Sequence, residues 1–223
     1  ENSSKVVLTF SIEKNKGVFP WKIEFTAIRH GRILDAGKFG QVYDGTLFDR
    51  EIVALKTINM TKLEDFMKEA EIARECYHPN VLQTIGICIS LKCIITEFMK
   101  NGSLKSYIRS NFLSAEDRIS VAQKIASGMS YLVSRDIVHR DLAARNVLVG
   151  ETIDTIKIAD FGLSRSLAIS PYYTTHKDCF PKAHTAPEAF VLEGALWEVG
   201  KVTRASDVWS YGVVLWELYS NGE

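Results

Sequence analysis

The sequence has 223 residues, 46% hydrophobic and 24% charged, with 27 basic and 27 acidic side chains and a formal net charge of zero. This composition is typical of a globular protein, and the length allows one large domain or two lobes with real cores. The balanced charge gives no indication of a nucleic-acid or anionic membrane partner, and no apolar run is long enough for a membrane span. We therefore expect no nucleic-acid partner and no membrane contact from this chain itself.

The first half of the chain has the pattern of β-strands after a leader. Residues 1–25 are interpreted as a leader or juxtadomain segment, in which alternating apolar residues predict a short strand at 6–12. Across residues 28–97, β-branched runs bounded by turn or charged residues predict strands. One helix, at about residues 62–76, interrupts them.

The second half of the chain has the pattern of helices. Ser114 and Asp117 predict a capping box, and an apolar period of three and four residues follows it. The positions expected on the buried face are Ala115, Ile119, Ala122, Ala126, Met129 and Val133. Residues 206–219 are apolar almost all round, which predicts a buried helix that Asn221-Gly222 ends. Strands followed by helices predict a two-lobed α+β fold with a ligand cleft between the lobes.

Gly37 and Gly40 lie just before the strand-like run Gln41-Val42-Tyr43. Glycines between two strands let the backbone approach a ligand, and its N–H groups can face phosphate oxygens. An ordinary hairpin turn has the same pattern, so this feature alone leaves both interpretations open. A dinucleotide-binding turn is not indicated, because that turn opens a helix.

Lys56 ends an apolar strand, where a solvated strand end is the ordinary interpretation. Glu69, however, lies on the same side of its predicted helix as Phe66, away from the charged stripe. A carboxylate on an apolar face needs a cation, because leaving it buried and unpaired is costly. We therefore predict a Lys56–Glu69 pair that holds the ammonium where it can meet phosphate oxygens.

The run His139-Arg140-Asp141 is followed by Asn146 and then by Asp160. Phosphoryl transfer needs a group that orients the attacking hydroxyl and oxygen ligands for Mg²⁺. Asp141 suits the first role, and Asn146 and Asp160 are hard oxygen donors that suit the second. A single loop aspartate is usually a turn residue, but the joint occurrence of these residues in this order favours catalysis.

Taken together, these motifs resemble those of a protein-tyrosine kinase over about residues 26–222. The matching residues, in the order of the family, are Gly37, Gly40, Val53-Ala54-Leu55-Lys56, Glu69, His139-Arg140-Asp141-Leu142-Ala143-Ala144-Arg145-Asn146, Asp160-Phe161-Gly162 and Ala186-Pro187-Glu188. Ala143-Ala144-Arg145 resembles the tyrosine-specific form, since serine/threonine kinases usually carry a lysine two residues after the aspartate.

The resemblance implies the protein kinase fold. It places a small antiparallel β N-lobe with one helix at residues 26–98, and a mainly helical C-lobe, lacking its last helices, at 99–223. The implied catalytic residues are Asp141, Lys56, Glu69 and Arg145. Asp207 is expected to anchor the catalytic loop from its buried helix.

The resemblance also implies ATP and Mg²⁺, with Asn146 and Asp160 as the metal ligands. The residues implied to contact ATP are Leu34, Gly37, Phe39, Gly40, Val42, Ala54, Lys56, Thr96, Glu97, Phe98, Met99 and Leu148. Within this set, Glu97-Phe98-Met99 resembles the hinge whose backbone binds adenine, and Thr96 resembles the gatekeeper before it.

Tyr172 and Tyr173 lie in the segment that resembles an activation loop. A phosphate there brings about −1.5 to −2 charges, and Arg140 is the expected cation to receive it. We expect autophosphorylation through transient self-association, and a protein substrate with an acceptor tyrosine. We expect a cytoplasmic location, or the cytoplasmic side of a membrane if the chain is part of a receptor. The four cysteines have no C-x-x-C spacing and are expected to be free thiols.

The sequence also departs from the family pattern. Asp35 stands where the first loop glycine is usual, and Ala73 and Thr84 stand where larger apolar residues are expected in an internal stack. After Pro181, His184 takes the place of a tryptophan, which weakens the prediction of acceptor binding. The chain also ends just after the buried helix, so we expect an incomplete domain with exposed apolar surface.

Two other functions are kept open by these departures. A pseudokinase or signalling scaffold that binds ATP weakly or not at all fits Asp35, Ala73, Thr84 and the altered segment after Pro181. A serine/threonine or dual-specificity kinase is disfavoured by Ala143-Ala144-Arg145. The substrate protein and the flanking domains are not indicated by the sequence.

Overall fold

The computed structural model describes residues 21–37, 40–58, 63–160, 165–166, 182–193, 196–199 and 202–222. Several predictions from the sequence lie outside these ranges. They concern the strand at residues 6–12, Phe39, Phe161, Tyr172, Tyr173 and Cys179.

A five-stranded antiparallel sheet forms the N-terminal part of the fold, in the order β1-β2-β3-β5-β4. The strands are β1 (Ile28–Gly37), β2 (Gly40–Leu47), β3 (Glu51–Ile58), β4 (Thr84–Cys88) and β5 (Cys93–Glu97). Side chains alternate between the two faces of such a sheet. One face buries Val53, Leu55 and Ile95 in a compact apolar cluster, so the other face of β3 and β5 can line a site.

A single helix, α1 (Leu63–Glu75), follows β3 and agrees closely with the predicted helix at residues 62–76. Its Phe66 and Ala70 are buried against Ile87 and Ile94 of the sheet. This packing holds the helix against the face of the sheet that carries Lys56, because Lys56 and Ile94 are cross-strand partners.

The end of the leader packs on the outer edge of β4. Ile23 N donates to Ile87 O at 2.7 Å, and Ile87 N donates to Trp21 O at 2.8 Å. The guanidinium of Arg74 on α1 lies 5.2 Å from the ring centroid of Trp21. These contacts cover an edge of the sheet whose backbone groups need partners.

Helices dominate the C-terminal part of the fold, which confirms the predicted two-lobed α+β class. The helices are α2 (Leu104–Ser110), α3 (Ala115–Ser134) and α4 (Arg204–Tyr219). Short antiparallel pairs lie between them: β6 (Ile137–Val138) with β9 (Arg165–Ser166), β7 (Val147–Val149) with β8 (Ile156–Ile158), and β10 (Phe190–Glu193) with β11 (Leu196–Val199). No helix in the described part of the chain combines the length and apolar character that a membrane crossing requires.

The capping box of α3 is confirmed, and the buried face is displaced from the predicted stripe, of which Met129 is buried and Ala122 partly buried. Ser114 accepts from Asp117 N, and the Asp117 carboxylate accepts from Ser114 N. Ile119 is 52% exposed, because α3 packs on β8 and α4 through a neighbouring stripe. The buried residues of α3 are Val121, Ile125, Gly128, Met129 and Leu132.

Helix α4 is only partly buried, in agreement with the apolar surface that was expected to be exposed at this helix. Val208 is 69% exposed and Trp216 is 57% exposed, whereas the polar residues Asp207 and Glu217 are buried. The inward face of this helix is therefore partly polar, and it contacts the backbone of His139, Arg140 and Ala144. The helix ends where predicted, with Asn221 at a φ of 58° and the following glycine at 84°.

Three cysteines are free and buried, in agreement with the expected thiols. They are Cys76, Cys88 and Cys93. Burial raises the pKa of Cys76 to about 11 and that of Cys93 to about 12, so these thiols are protonated and act as small apolar core residues.

Candidate functional site

The loop that carries Asp141 is fixed by a buried carboxylate from α4. Asp207 Oδ2 accepts from His139 N at 2.8 Å, and Asp207 Oδ1 accepts from Arg140 N at 2.9 Å. These bonds support Arg140 at a φ of 73°, a conformation that non-glycine residues rarely adopt. Burial raises the pKa of Asp207, and the charges and N–H groups of His139 and Arg140 oppose that rise. Asp207 therefore lies where an anchor of the loop is expected.

Asp141 lies at the centre of a polar cluster and is almost fully buried. Asn146 Nδ2 donates to its Oδ2 at 2.8 Å and to its backbone oxygen at 2.7 Å. Arg145 forms an ion pair with its Oδ1. Burial raises the pKa of Asp141, while Arg145 and Asn146 oppose the rise. The result is a carboxylate that is held rigidly and is more basic than an exposed aspartate.

Lys56 reaches across from the sheet to the C-terminal part of the fold. Its Nζ lies 2.5 Å from Asp160 Oδ1. Both side chains are half-buried, and Asp160 has a φ of 66°. The Glu69 side chain lies outside what the structure describes, so the predicted Lys56–Glu69 pair stays a prediction.

Backbone contacts bring Asn146 and Asp160 to the same place. Ala159 N donates to Asn146 O at 2.8 Å, and Ala159 O lies 3.0 Å from the imidazole Nε2 of His139. Asp160 follows directly and its charge also acts on Asp141. Four predicted site residues, Lys56, Asp141, Asn146 and Asp160, are thus gathered in one region.

The donor set of Asn146 and Asp160 fits Mg²⁺. Because Asn146 Nδ2 faces Asp141, its amide oxygen is the atom of that side chain that can bind a cation. A carboxamide and a carboxylate are the hard ligands that Mg²⁺ prefers, and this ion usually keeps several waters alongside one or two protein ligands. In the described ranges no group of three or more His, Cys, Asp or Glu side chains has the arrangement of a metal site.

The sheet register places predicted nucleotide-binding residues on the same face as Lys56. Val42 is the cross-strand partner of Lys56, and Ala54 is the partner of Thr96. Because side chains two residues apart on a strand share a face, Val42, Ala54, Lys56 and Thr96 line one surface. This surface faces away from the buried cluster of Val53, Leu55 and Ile95.

The segment after β5 continues this surface toward the C-terminal part of the fold. Met99 is buried in a cluster with Leu82 and Ala159, and Leu148 packs against it. Phe98 is half-buried. These contacts put Met99 and Leu148, two of the residues implied to contact ATP, beside the residue that precedes Asp160.

Glu97 has a role that the sequence reasoning missed. Its Oε1 accepts from Lys157 Nζ at 2.7 Å and from Gln83 N at 2.7 Å. The side chain therefore links β5 to β8. Lys157 lies between the buried residues Ile156 and Ile158. A lysine within an apolar strand could have indicated that it has an acidic partner.

The glycine turn joins β1 and β2, as predicted, with Gly37 paired to Gly40. Gly40 has a φ of 144°, which only glycine adopts readily. Asp35 is exposed and its Oδ1 accepts from Ala36 N at 2.8 Å, so its carboxylate is engaged by its own backbone. Leu34 lies next to it and is largely exposed.

Glu217 and His184 form a second buried polar pair that the sequence did not reveal as such. Glu217 is 2% exposed, and its Oε2 lies 3.1 Å from His184 Nε2. The available signal was a carboxylate within an apolar helix, the same argument that singled out Glu69.

Comparison with known proteins agrees with this geometry. The family model described as protein tyrosine and serine/threonine kinase matches residues 28–223, and the chain therefore belongs to this family. The fold class and the family predicted from the sequence are confirmed. Members of this family in general transfer phosphate from ATP with Mg²⁺.

The proteins similar to this chain include named tyrosine kinases and an ephrin receptor. The chain is 40% identical to tyrosine protein-kinase src-1 of Caenorhabditis elegans over 213 residues, which cover 91% of this chain and 39% of that protein. It is 42% identical to tyrosine-protein kinase Abl of Drosophila melanogaster over 212 residues, covering 91% and 12%. It is 41% identical to ephrin type-A receptor 5 of Gallus gallus over 219 residues, covering 92% and 21%. The chain thus spans less than half the length of these relatives.

Proposed function

We propose that this chain is the catalytic region of a protein-tyrosine kinase, which transfers the γ-phosphate of ATP to tyrosine hydroxyls of proteins. The observation that carries the proposal is the convergence of the Lys56–Asp160 pair with the Asp141–Asn146–Arg145 cluster. Phosphoryl transfer depends mainly on positioning and charge, and this cluster supplies both.

Asp141 is the proposed acceptor of the hydroxyl proton. Its burial raises its pKa, and a base works best when its pKa approaches the working pH. The bonds from Asn146 Nδ2 fix the direction of the carboxylate. The positive charge of Arg145 opposes this rise in the pKa of Asp141.

Lys56, Asn146 and Asp160 are the proposed phosphate and metal residues. Lys56 supplies a cation on the surface shared with Val42, Ala54 and Thr96, where the adenine and phosphates are proposed to lie. Asn146 and Asp160 would hold Mg²⁺, which neutralises charge on the phosphates when bound. Glu69 is proposed to hold Lys56. The remaining ATP contacts are proposed at Leu34, Gly37, Phe39, Gly40, Glu97, Phe98, Met99 and Leu148.

Tyrosine is the proposed acceptor because of Ala143-Ala144-Arg145 and because src-1 and Abl, two of the similar proteins, are named as tyrosine kinases. We further propose a protein substrate and transient self-association for autophosphorylation. The proposed location is the cytoplasm, or the cytoplasmic face of a membrane, in keeping with three buried free thiols. The proposed lobes are residues 26–98 and 99–223, after a leader at 1–25.

Regulation is proposed at Tyr172 and Tyr173, with Arg140 as the cation that receives the phosphate. Changing both tyrosines to phenylalanine should lower activity, because the phosphate that orders the segment is lost. Kinetic assays of the purified double variant, with phosphosite mapping, test this. Unchanged kinetics with full phosphorylation elsewhere in the segment would contradict it.

The kinase proposal is tested by incubating the purified protein with ATP and Mg²⁺ and detecting phosphotyrosine. Asp141→Asn is the control, because it retains the size of the side chain and removes the base. Phosphotyrosine that forms with the wild type and not with Asp141→Asn supports the kinase proposal. No signal, together with thermal stabilisation by ATP, would instead indicate a nucleotide-binding scaffold.

A further inference from the structure

Strand β1 is longer than the strand with which it pairs. It has ten residues and β2 has eight, yet the two strands are paired at both ends. Ile28 faces Leu47 at one end, and Gly37 faces Gly40 at the glycine turn. Because a hairpin turn fixes the register of its strands, the extra residues of β1 must be accommodated between these two pairs. They form β-bulges, at which two residues of one strand oppose a single residue of the other.

The place of these bulges decides which residue of β1 lies beside the proposed nucleotide surface. The register shifts once between His30 and Ile33 and again between Ile33 and Asp35. Leu34 is the extra residue at the second shift, next to the pair that Asp35 forms with Val42. Each extra residue reverses the alternation of side chains between the two faces of the sheet. Leu34 therefore keeps its place beside Val42 only while the first bulge stays where it is.

One carboxylate, that of Asp44 on β2, is bonded to the first bulge. Its Oδ1 accepts from Arg32 N at 2.6 Å, and its Oδ2 accepts from Arg32 Nε at 3.1 Å. The Asp44 side chain is 24% exposed, whereas the Arg32 side chain is 81% exposed. An ion pair with such an exposed partner contributes little, but a bond from a backbone N–H to a carboxylate is charge-assisted and stronger. The bond to the backbone is therefore the one that fixes the bulge.

Gly31 provides the space that this carboxylate needs. A Cβ atom at Gly31 would lie 2.1 Å from Asp44 Oδ1, which is far closer than two atoms without a bond can approach. A glycine inside a strand often marks a bulge or such a close approach. Asp44 is also the cross-strand partner of Ala54, so it lies on the face of the sheet that carries Lys56. The device thus sits on the proposed nucleotide surface itself.

We propose that Asp44 is a positioning residue for the nucleotide: it holds the first bulge of β1 and so keeps Leu34 beside Val42, on the surface that carries Ala54 and Lys56. The inference rests on the proposed kinase function, in which Leu34 and Val42 contact ATP. The paired ends of the strands set the number of extra residues and not their place. Without the carboxylate the first bulge can move along β1, Leu34 loses its fixed position, and ATP should bind about tenfold more weakly.

The test is isothermal titration calorimetry of the purified protein with ATP and Mg²⁺. Asp44→Ala removes the acceptor of the bulge, and Asp44→Asn retains an acceptor oxygen without the charge. Gly31→Ala displaces the carboxylate and leaves Asp44 in the chain. Arg32→Ala is the matched control, because it removes the exposed ion pair and leaves the backbone N–H in place. Steady-state kinetics then separate KM for ATP from kcat.

Asp44→Ala and Gly31→Ala should each weaken ATP binding about tenfold and raise KM for ATP by a similar factor, with kcat at saturating ATP little changed. Asp44→Asn and Arg32→Ala should stay within about twofold of the wild type. Partial unfolding lowers the number of binding sites in the titration and not their affinity, so a purely structural role of Asp44 gives a different result.

A double-mutant cycle with Leu34→Ala tests whether the effect passes through Leu34. In that background Asp44→Ala should weaken ATP binding no further. The inference is overturned if Asp44→Ala and Gly31→Ala bind ATP as the wild type does, or if Asp44→Ala causes the same loss with Leu34→Ala as without it. A wild type that binds no ATP refutes both proposals. A protein that shows the expected binding and yields no phosphotyrosine refutes the kinase proposal and leaves this inference standing.

Discussion

The proposed nucleotide side and the proposed acceptor side of the site are built from different kinds of residue. On the nucleotide side, Lys56, Asn146 and Asp160 match the family motifs and converge around Asp141. On the acceptor side, His184 replaces the family tryptophan and packs on the buried carboxylate of Glu217. Both sides are attached to the same helix α4, one through Asp207 and the other through Glu217.

The difference indicates which functions require particular residue types and which do not. Phosphate and metal positioning requires particular charges at fixed places, so those residues match the pattern. Holding a segment against a helix requires only a well-packed contact, and either an aromatic ring or a hydrogen-bonded imidazole satisfies it. Substitutions in each part of the site test whether the nucleotide side and the acceptor side act independently.

The largest effect is expected from Asp160→Asn. This change removes the carboxylate that lies 2.5 Å from Lys56 Nζ and that is proposed to bind Mg²⁺. Loss of such a group forfeits several kcal/mol of transition-state stabilisation, or about 10²–10³-fold in rate. The rate of phosphate transfer measures it. Asp49→Asn, in an exposed pair with Arg29, is the control, and a rate within tenfold of wild type contradicts the prediction.

The next effect is expected on stability, from Asp207→Ala. The change leaves the N–H groups of His139 and Arg140 without their carboxylate acceptor, and each buried unsatisfied donor costs about 1–3 kcal/mol. Denaturant unfolding should show the loss. Asp154→Ala, which removes an exposed partner of Lys124, should cost about 1 kcal/mol or less. Equal losses in the two variants would show that Asp207 is not an anchor.

A smaller effect is expected on the pH profile from Arg145→Gln. The Arg145 charge opposes the rise in the pKa of Asp141 caused by burial. Without the Arg145 charge the pKa of Asp141 rises further. Asp141 therefore becomes protonated at a higher pH than in the wild type. The acid limb of kcat/KM should therefore move to higher pH. An acid limb that stays in place, or moves to lower pH, argues against Asp141 as the titrating base.

The smallest effect is expected from Asp35→Gly, which restores the usual loop glycine. The Asp35 carboxylate is exposed and accepts from Ala36 N, so its charge is screened by water. We expect KM for ATP to change by less than about fivefold, which corresponds to about 1 kcal/mol. Steady-state kinetics measures this. A large fall in KM would show that Asp35 repels the triphosphate.

Most of the nucleotide side could be predicted from the sequence. Lys56, Asp141, Asn146 and Asp160 are recognisable because their chemistry demands particular residue types in a particular order. Their convergence depends on the sheet register and on contacts such as Ala159 N to Asn146 O. Those contacts join residues that are far apart in the sequence. They could be expected only because the motifs resemble those of the kinase family.

Apolar periodicity did not predict the buried faces of α3 and α4, and Asp207 was expected to face inward only through the family resemblance. Around α3, apolar residues occur on more than one stripe, and packing on β8 and α4 decided that Val121 is buried and Ile119 is exposed. In α4, the hydrophobicity of the sequence predicted a buried helix. The structure shows that two carboxylates of this helix accept from the backbone N–H groups of His139, Arg140 and Ala144. Asp207 and Glu217 consequently face inward while Trp216 faces outward. Periodicity measures apolar character and does not report where unpaired backbone N–H groups lie.

The most direct test of the account is a choice of acceptor. The purified protein, with ATP and Mg²⁺, is given three otherwise identical peptides in which the only hydroxyl belongs to tyrosine, serine or threonine. Phosphate should be found on the tyrosine peptide, and Asp141→Asn should abolish it. Phosphate on serine or threonine, or no transfer from a protein that binds ATP, would contradict the assignment of this site to tyrosine phosphorylation.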